Sequence, residues 1–123
     1  MDINKLFNID GKIALITGGS RGNGEMIAAA FLANGDKVYI TARKEAPLIE
    51  KAKELSEKFN GECIAIPCDL SNMEGIQKLV SDYLDHEDSL DILVNNAGAA
   101  WGEPYENFSE KGWDKVMDTN VKS

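Results

Sequence analysis

Short apolar runs alternate with helical patterns along the whole chain. The runs carry consecutive apolar residues without polar alternation, which is typical of parallel strands buried on both faces. They lie at residues 13–17, 38–41, 63–66 and 90–94. Between them, apolar residues recur at spacings of three and four, which is typical of amphipathic helices. The pattern therefore predicts four strands with a helix after each of the first three.

Local signals place the ends of the first two helices. The first is predicted over about residues 24–33, with Gly35 just past its end. Its inward face is predicted to consist of Met26, Ile27, Ala30 and Phe31. The second helix is predicted to begin near Pro47, since proline suits a first helical turn, and to end by Gly61.

Serine residues mark the starts of two further helices. Ser71 with Glu74 forms a capping-box pattern, which predicts a third helix. Its inward residues are predicted to be Ile76, Leu79, Val80 and Tyr83. Ser109 is the predicted cap of a last helix, whose apolar pattern continues almost to Ser123.

Strand–helix–strand units of this length require parallel pairing with right-handed crossovers. The sequence thus predicts an open, doubly wound α/β sheet, with strand order 3-2-1-4 if the chain reverses direction after the third strand. Residues 1–123 have the length of one domain. The last helical pattern has no C-cap signal, and the fourth strand would leave an apolar sheet edge. We therefore expect a partial, truncated domain.

A glycine-rich segment joins the first strand to the first helix. It is Thr17-Gly18-Gly19-Ser20-Arg21-Gly22-Asn23-Gly24. Glycines there permit a tight turn and let the backbone approach a pyrophosphate, which the N–H groups of the helix N-terminus then hold. A glycine-rich turn without a ligand is the alternative. The position between strand and helix favours dinucleotide binding.

The end of the second strand bears on which dinucleotide would bind. A fold that prefers NAD places a carboxylate here to bind the ribose hydroxyl groups, but this chain has Arg43 and no acid. Arg43 can hold a 2′-phosphate bidentately, and Arg21 can reach the same group. Two solvated surface arginines are the alternative. Their joint placement predicts NADP, with NAD the weaker candidate.

Polar residues also follow the third and fourth strands. Asp69 either accepts a hydrogen bond from an adenine amino group or serves as a turn or helix-cap residue. The segment Asn95-Asn96-Ala97-Gly98 either lets a ligand lie close and ties neighbouring strands, or forms a plain turn. The residues alone leave both choices open.

The motifs together resemble the short-chain dehydrogenase/reductase family, over the whole chain and at the family's spacings. The resemblance implies a Rossmann-type fold in which Gly18, Gly22 and Gly24 line the pyrophosphate. It also implies that Asp69 meets adenine and that Asn120 is the active-site asparagine of a proton relay. The full set of predicted cofactor-binding residues is Thr17, Gly18, Ser20, Arg21, Gly22, Asn23, Gly24, Arg43, Asp69, Leu70, Asn95, Ala97 and Gly98.

The chain departs from the family pattern in two respects. Asn23 stands where the family usually has Ile or Leu. The family's catalytic Ser and its Tyr-x-x-x-Lys motif would come after Ser123, so the resemblance implies that Asn120 is the one catalytic residue here. We expect this chain alone to be nearly inactive, since a positioned acid or base contributes about 10²–10⁴-fold to a rate.

Composition narrows the partners and the compartment. The formal net charge is −8, which argues against binding to nucleic acid or to an anionic membrane surface. No transmembrane run, signal peptide or metal-ligand cluster is predicted. Cys63 and Cys68 are expected to point to opposite faces and to stay reduced, which predicts a cytoplasmic protein.

Three functions follow from these observations. The first is an NADP(H)-dependent oxidoreductase acting on a small carbonyl or alcohol substrate, present as its cofactor-binding half and homo-oligomeric in its full-length form. Among family members it resembles 3-oxoacyl reductases and gluconate dehydrogenases. The second is a dinucleotide-binding module without catalysis, and the third is a half-domain completed by a partner chain.

Overall fold

A computed structural model describes residues 1–123 and contains one parallel four-stranded sheet. The strands are β1 (Ile13–Thr17), β2 (Lys37–Ala42), β3 (Cys63–Pro67) and β4 (Ile92–Val94). Their order across the sheet is β3-β2-β1-β4, which confirms the predicted α/β class and the predicted 3-2-1-4 order. Thr17 lies opposite Thr41 and Ile16 opposite Val94, so the carboxyl ends of β1, β2 and β4 share one edge.

Helices cover both faces of the sheet. The α-helices are α1 (Ile3–Leu6), α2 (Gly22–Ala33), α3 (Glu45–Phe59), α4 (Met73–Leu84) and α5 (Glu110–Met117), of which α2, α3 and α4 pack on the sheet. A 3₁₀ turn at Tyr105–Asn107 precedes α5, and a π-helical turn at Asp118–Lys122 continues it. Helices α2 and α3 pack on one face of the sheet and α4 packs on the other. None of these helices combines the length and the apolar character that a membrane crossing requires.

Each face has its own apolar core. The larger core joins Ile16, Val38 and Ile40 to Leu32 and Leu48. The smaller core consists of Leu15, Tyr39, Ile66, Cys68, Leu79 and Tyr83. Since alternate residues of a strand point to opposite faces, Leu15 and Tyr39 belong to one core while their neighbours belong to the other. Cys63 and Cys68 are buried in different cores and unbonded, as predicted.

The prediction for the inward face of α2 was partly wrong: Ile27 and Phe31 pack against the larger core as predicted, but Met26 and Ala30 are exposed. Its fully buried residues are Gly24, Ala28 and Leu32, whereas Met26 is 64% exposed. The helix lies so close to the sheet that small residues fill the interface, and Ile27 and Phe31 pack at its margins. Tight backbone approach, and not side-chain size, selects the buried face.

Two boundary predictions and one burial prediction also need correction. Ser71 does not cap α4, because Asn72 does so by accepting a hydrogen bond from the Gly75 N–H at 2.8 Å. Val80 was expected to point inward but is 52% exposed. Strand β4 begins at Ile92 and not at residue 90, because the Asp91 side chain accepts the Ile13 N–H at 2.9 Å before strand pairing starts. Ser109 does cap α5, as predicted.

Candidate nucleotide-binding site

The Thr17 hydroxyl joins the carboxyl ends of β1 and β4. Its oxygen accepts the N–H groups of Asn96 and Ala97 at 2.9 and 2.8 Å and donates to the Val94 carbonyl at 3.3 Å. Thr17 itself is 5% exposed. Its hydroxyl is therefore fully used within the protein. Thr17 was predicted to contact the cofactor directly, but the structure gives its side chain a supporting role.

Asn96 is the functional residue that the sequence prediction missed. Its side-chain amide donates to the carbonyls of Thr17 and Gly18 at 3.0 and 3.3 Å. The turn after β4 thus holds the start of the glycine turn. The pair of amide residues after β4 was the only signal in the sequence, and it did not show which of the two would turn inward.

Replacing Thr17 with Val should destabilise the fold by about 2 kcal/mol. Valine keeps the shape but leaves the N–H groups of Asn96 and Ala97 without an acceptor. Both residues are half-buried, so we expect each lost hydrogen bond to cost about 1 kcal/mol, the lower end of the range for unsatisfied groups. Urea unfolding measures the loss. Thr41→Val is the matched control, because that buried hydroxyl contacts only the Cys68 sulfur, at 2.6 Å. Equal losses in both variants would contradict the assigned role of Thr17.

The N-terminus of α2 opens at this edge with unpaired donors. The N–H groups of Gly22, Asn23 and Gly24 have no protein acceptor, and no side chain caps the helix. Gly18 and Gly22 adopt positive φ values of 67° and 59°, a conformation that glycine adopts without strain. Nothing lies within 4 Å of a methyl group built on Gly22. The turn therefore exposes backbone donors to an open space that an anion can enter.

Two glycines of this segment serve packing instead. A methyl group built on Gly24 would overlap the Gly18 carbonyl oxygen and would lie 2.7 Å from the Asn96 amide nitrogen. One built on Gly19 would lie 2.6 Å from the Ile40 Cβ atom. Gly24 is buried, so it brings the helix against β1 and can present only its N–H group to a ligand. This refines its predicted place along the pyrophosphate.

The remaining motif residues surround this opening at different depths. Arg21 has an extended backbone as the N-cap of α2, and both it and Asn23 are exposed. Ser20 is half-buried beside them. After β4, Ala97 is half-buried, whereas the other two predicted residues, Asn95 and Gly98, are exposed.

Asp69 forms the turn that follows β3. One of its carboxylate oxygens accepts both the Ser71 N–H at 3.0 Å and the Ser71 hydroxyl at 2.7 Å. These hydrogen bonds lower the pKa of Asp69, and the charge of Arg43 lowers it further. The turn role left open by the sequence is therefore present, and the second oxygen makes no hydrogen bond within the protein. Arg43 is exposed after β2, and Leu70 is half-buried beside the smaller core.

Asn120 lies beyond α5 and pairs with the backbone of Ala99. Its side-chain oxygen accepts the Ala99 N–H at 2.8 Å, and its amide donates to the Ala99 carbonyl at 2.9 Å. Asn120 belongs to the π-helical turn, a feature frequent at functional sites. Its two hydrogen bonds place it next to the residues that follow β4.

The sheet order and the open glycine turn define a nucleotide-binding fold of the Rossmann type. A family model described as short chain dehydrogenase matches residues 12–123. The chain belongs to the short chain dehydrogenase family, a family of oxidoreductases.

Known relatives agree with this assignment. The rhamnolipids biosynthesis 3-oxoacyl-[acyl-carrier-protein] reductase of Pseudomonas aeruginosa is 46% identical over 117 residues, which cover 95% of this chain and 45% of the relative. The 2-dehydro-3-deoxy-D-gluconate 5-dehydrogenase of Dickeya dadantii is 37% identical over 118 residues, with the same two coverages. The chain thus spans about half the length of these curated relatives. Both resemblances named from the sequence are confirmed.

A solved structure shows the same fold. The Pseudomonas aeruginosa RhlG/NADP active-site complex superposes with a TM-score of 0.88 at 46% sequence identity. The match covers 94% of this chain and 44% of that one.

Proposed function

We propose that this chain is the cofactor-binding part of an NADP(H)-dependent oxidoreductase that acts on a carbonyl or alcohol. In this proposal the dinucleotide diphosphate lies against the N-terminus of α2. Residues 1–123 contribute the partial domain that binds the cofactor, and the remaining catalytic groups lie outside these residues. Asn120 is the one residue of the catalytic apparatus that we assign within them.

The open helix N-terminus carries the proposal. The N–H groups of Gly22, Asn23 and Gly24 have no protein acceptor, and nothing lies within 4 Å of a methyl group built on Gly22. The positive end of the α2 dipole adds to the attraction of an anion. A diphosphate fits such a site because its oxygens accept several N–H groups at once.

Charge at the end of β2 supports NADP over NAD. Arg21 and Arg43 are exposed and form no ion pair within the protein, and the two residues directly after β2 are basic. A 2′-phosphate would accept charge-assisted hydrogen bonds from both guanidinium groups. The structural relative bound to NADP agrees with this choice. The free oxygen of Asp69 is available for an adenine amino group.

The chemistry assigned to the chain's own residues is limited to binding and orientation. When bound, the nicotinamide supplies or accepts a hydride. The glycine turn and α2 hold the phosphates, and the turn at residues 95–98 lies against Gly18 beside them. The side chain of Asn120 is held by Ala99, so we propose that it keeps the end of α5 next to this turn and helps to place the water of the proton relay.

Fluorescence titration with NADPH tests the proposal. We expect saturable binding of NADPH, weaker binding of NADH, and shifts of the amide resonances of Gly22, Asn23 and Gly24 in nuclear magnetic resonance (NMR) spectra. The amides of α3 near Phe59 serve as an internal control, because they lie at the opposite edge of the sheet. Absence of binding to either cofactor would refute the function.

The other two functions retain one supporting observation. Strand β4 pairs only with β1, and Leu93 on it is 54% exposed, so a further strand or another chain can add at this edge. We propose that in the complete protein this edge is covered, in an assembly that we expect to be homo-oligomeric and cytoplasmic. The mass of the native protein separates an enzyme of about twice this length from a stand-alone binding module or half-domain.

A further inference from the structure

The loop at residues 99–108 is fastened at three points to α5 and to the residues that flank it, which are the N-cap Ser109 and Asn120 of the π-helical turn. Ala99 pairs with Asn120 through two hydrogen bonds. The Glu103 carboxylate accepts the Ser109 N–H at 2.6 Å and the Ser109 hydroxyl at 3.1 Å. The third point is the packing of Trp101 against Gly112. Helix α5 and the loop therefore form one unit at the carboxyl edge of the sheet.

The Trp101 ring occupies the space that a side chain at position 112 would need. A methyl group built on Gly112 would overlap the indole Cδ1 atom and would lie 2.6 Å from Nε1 and 2.9 Å from Cγ. The ammonium groups of Lys111 and Lys115 lie 5.9 and 5.0 Å from the ring centroid, in cation–π geometry. The ring is thus held by the helix backbone and by two flanking cations.

No side chain of α5 is fully buried, so other contacts must fix its position. Gly112 is the only buried residue of the helix, and Trp113 next to it is 59% exposed. An eight-residue helix without a core-facing anchor has little of its own to define its place. The indole of Trp101 supplies that anchor from outside the helix.

We propose that Gly112 and Trp101 are a pair of positioning residues that set the place of α5 and, through it, of Asn120. No hydrogen bond joins the pair to the glycine turn, so the pair acts through Asn120 on the residues that follow β4 and not on the phosphate site. The role of this pair in catalysis rests on the proposed function. The structural coupling of Gly112 to Asn120 is independent of that function.

Gly112→Ala tests the pair in the 123-residue chain. We expect the added methyl group to displace the indole and to shift the NMR signals of the Trp101 Nε1–H, the Ala99 amide and the Asn120 side-chain amide. The affinity for NADPH should stay within about two-fold, as for sites that act independently. Gly102→Ala is the matched control, because nothing lies within 4 Å of a methyl group at that glycine of the same loop.

A second variant keeps the test decisive if Gly112→Ala folds poorly. Trp101→Leu alone removes the ring without adding a methyl group to the helix, so it should shift the same Ala99 and Asn120 signals, because α5 loses its anchor. Unchanged Ala99 and Asn120 signals in either variant would overturn the proposal. A loss of NADPH affinity well beyond two-fold in Gly112→Ala would also overturn it, because the pair would then support the fold of the phosphate site as well. If the original chain binds no NADPH, the proposed function fails, while these signals still decide the coupling.

Discussion

Gly24→Ala should destabilise the protein by about 1–3 kcal/mol and lower its affinity for NADPH at least about tenfold. The new methyl group meets the Gly18 carbonyl and the Asn96 amide. A backbone carbonyl cannot turn away as a flexible side chain can, so α2 or the glycine turn has to move. Alanine gains up to about 1 kcal/mol of helix propensity over glycine, and this gain is too small to offset the overlap.

Urea unfolding and NADPH titration together measure this effect. Asn23→Ala is the control, because Asn23 directly precedes Gly24 in the same helical turn and is exposed. That variant should keep the stability within about 0.5 kcal/mol. A Gly24→Ala protein that is as stable as the original and binds NADPH equally well would show that helix and turn do not need this close approach.

Arg43→Asp should reverse the cofactor preference. The substitution removes a charge-assisted contact with the 2′-phosphate, worth about 1.5–3 kcal/mol, and places a repelling carboxylate there. The same carboxylate can accept the ribose hydroxyl groups of NADH. We therefore expect the ratio of the two dissociation constants to change by about 100-fold or more in favour of NADH.

The comparison needs a variant with the same change of charge elsewhere. Lys53→Asp fulfils this requirement, because Lys53 is 76% exposed on α3 and its only ion pair, with Glu57, is long at 4.0 Å. Parallel titrations with NADPH and NADH should leave its preference as in the original chain. If Arg43→Asp leaves the ratio of the two dissociation constants unaltered, Arg43 does not contact the 2′-phosphate, even if the fold assignment holds.

Strand positions and topology were predictable because parallel strands leave a strong signal in the sequence. The runs at 13–17 and 63–66 fall on β1 and β3 almost without error, since such strands are apolar on both faces. The hand of the crossovers alone left their order open, and the predicted 3-2-1-4 order also required the chain to reverse direction after the third strand, as the structure shows. Helix starts were less predictable. Ser109 caps α5 as expected, but the Asp69 carboxylate binds Ser71, and the N-cap of α4 is Asn72.

The sequence could not predict which face of α2 is buried or which hydrogen bonds form within the site. Apolar size predicted that Met26 would face inward, but the buried face depends on how closely the helix backbone approaches Gly18. Likewise, the motif placed Thr17 at the site but not the direction of its hydroxyl. Asn96 and Thr17 bond each other across nearly eighty residues of sequence, and only the folded sheet brings them together.

The two thiols offer a consequence of the double-sided core. Burial raises the pKa of Cys63 to about 12 and also raises the pKa of Cys68. In the folded chain neither sulfur reacts readily, since the thiolate is the reactive form. Each becomes modifiable only when its own layer separates from the sheet. The alkylation rate of Cys63 would then report how often α3 detaches, and the alkylation rate of Cys68 would report how often α4 detaches. The two thiols thus serve as separate probes of local unfolding on the two faces of the sheet.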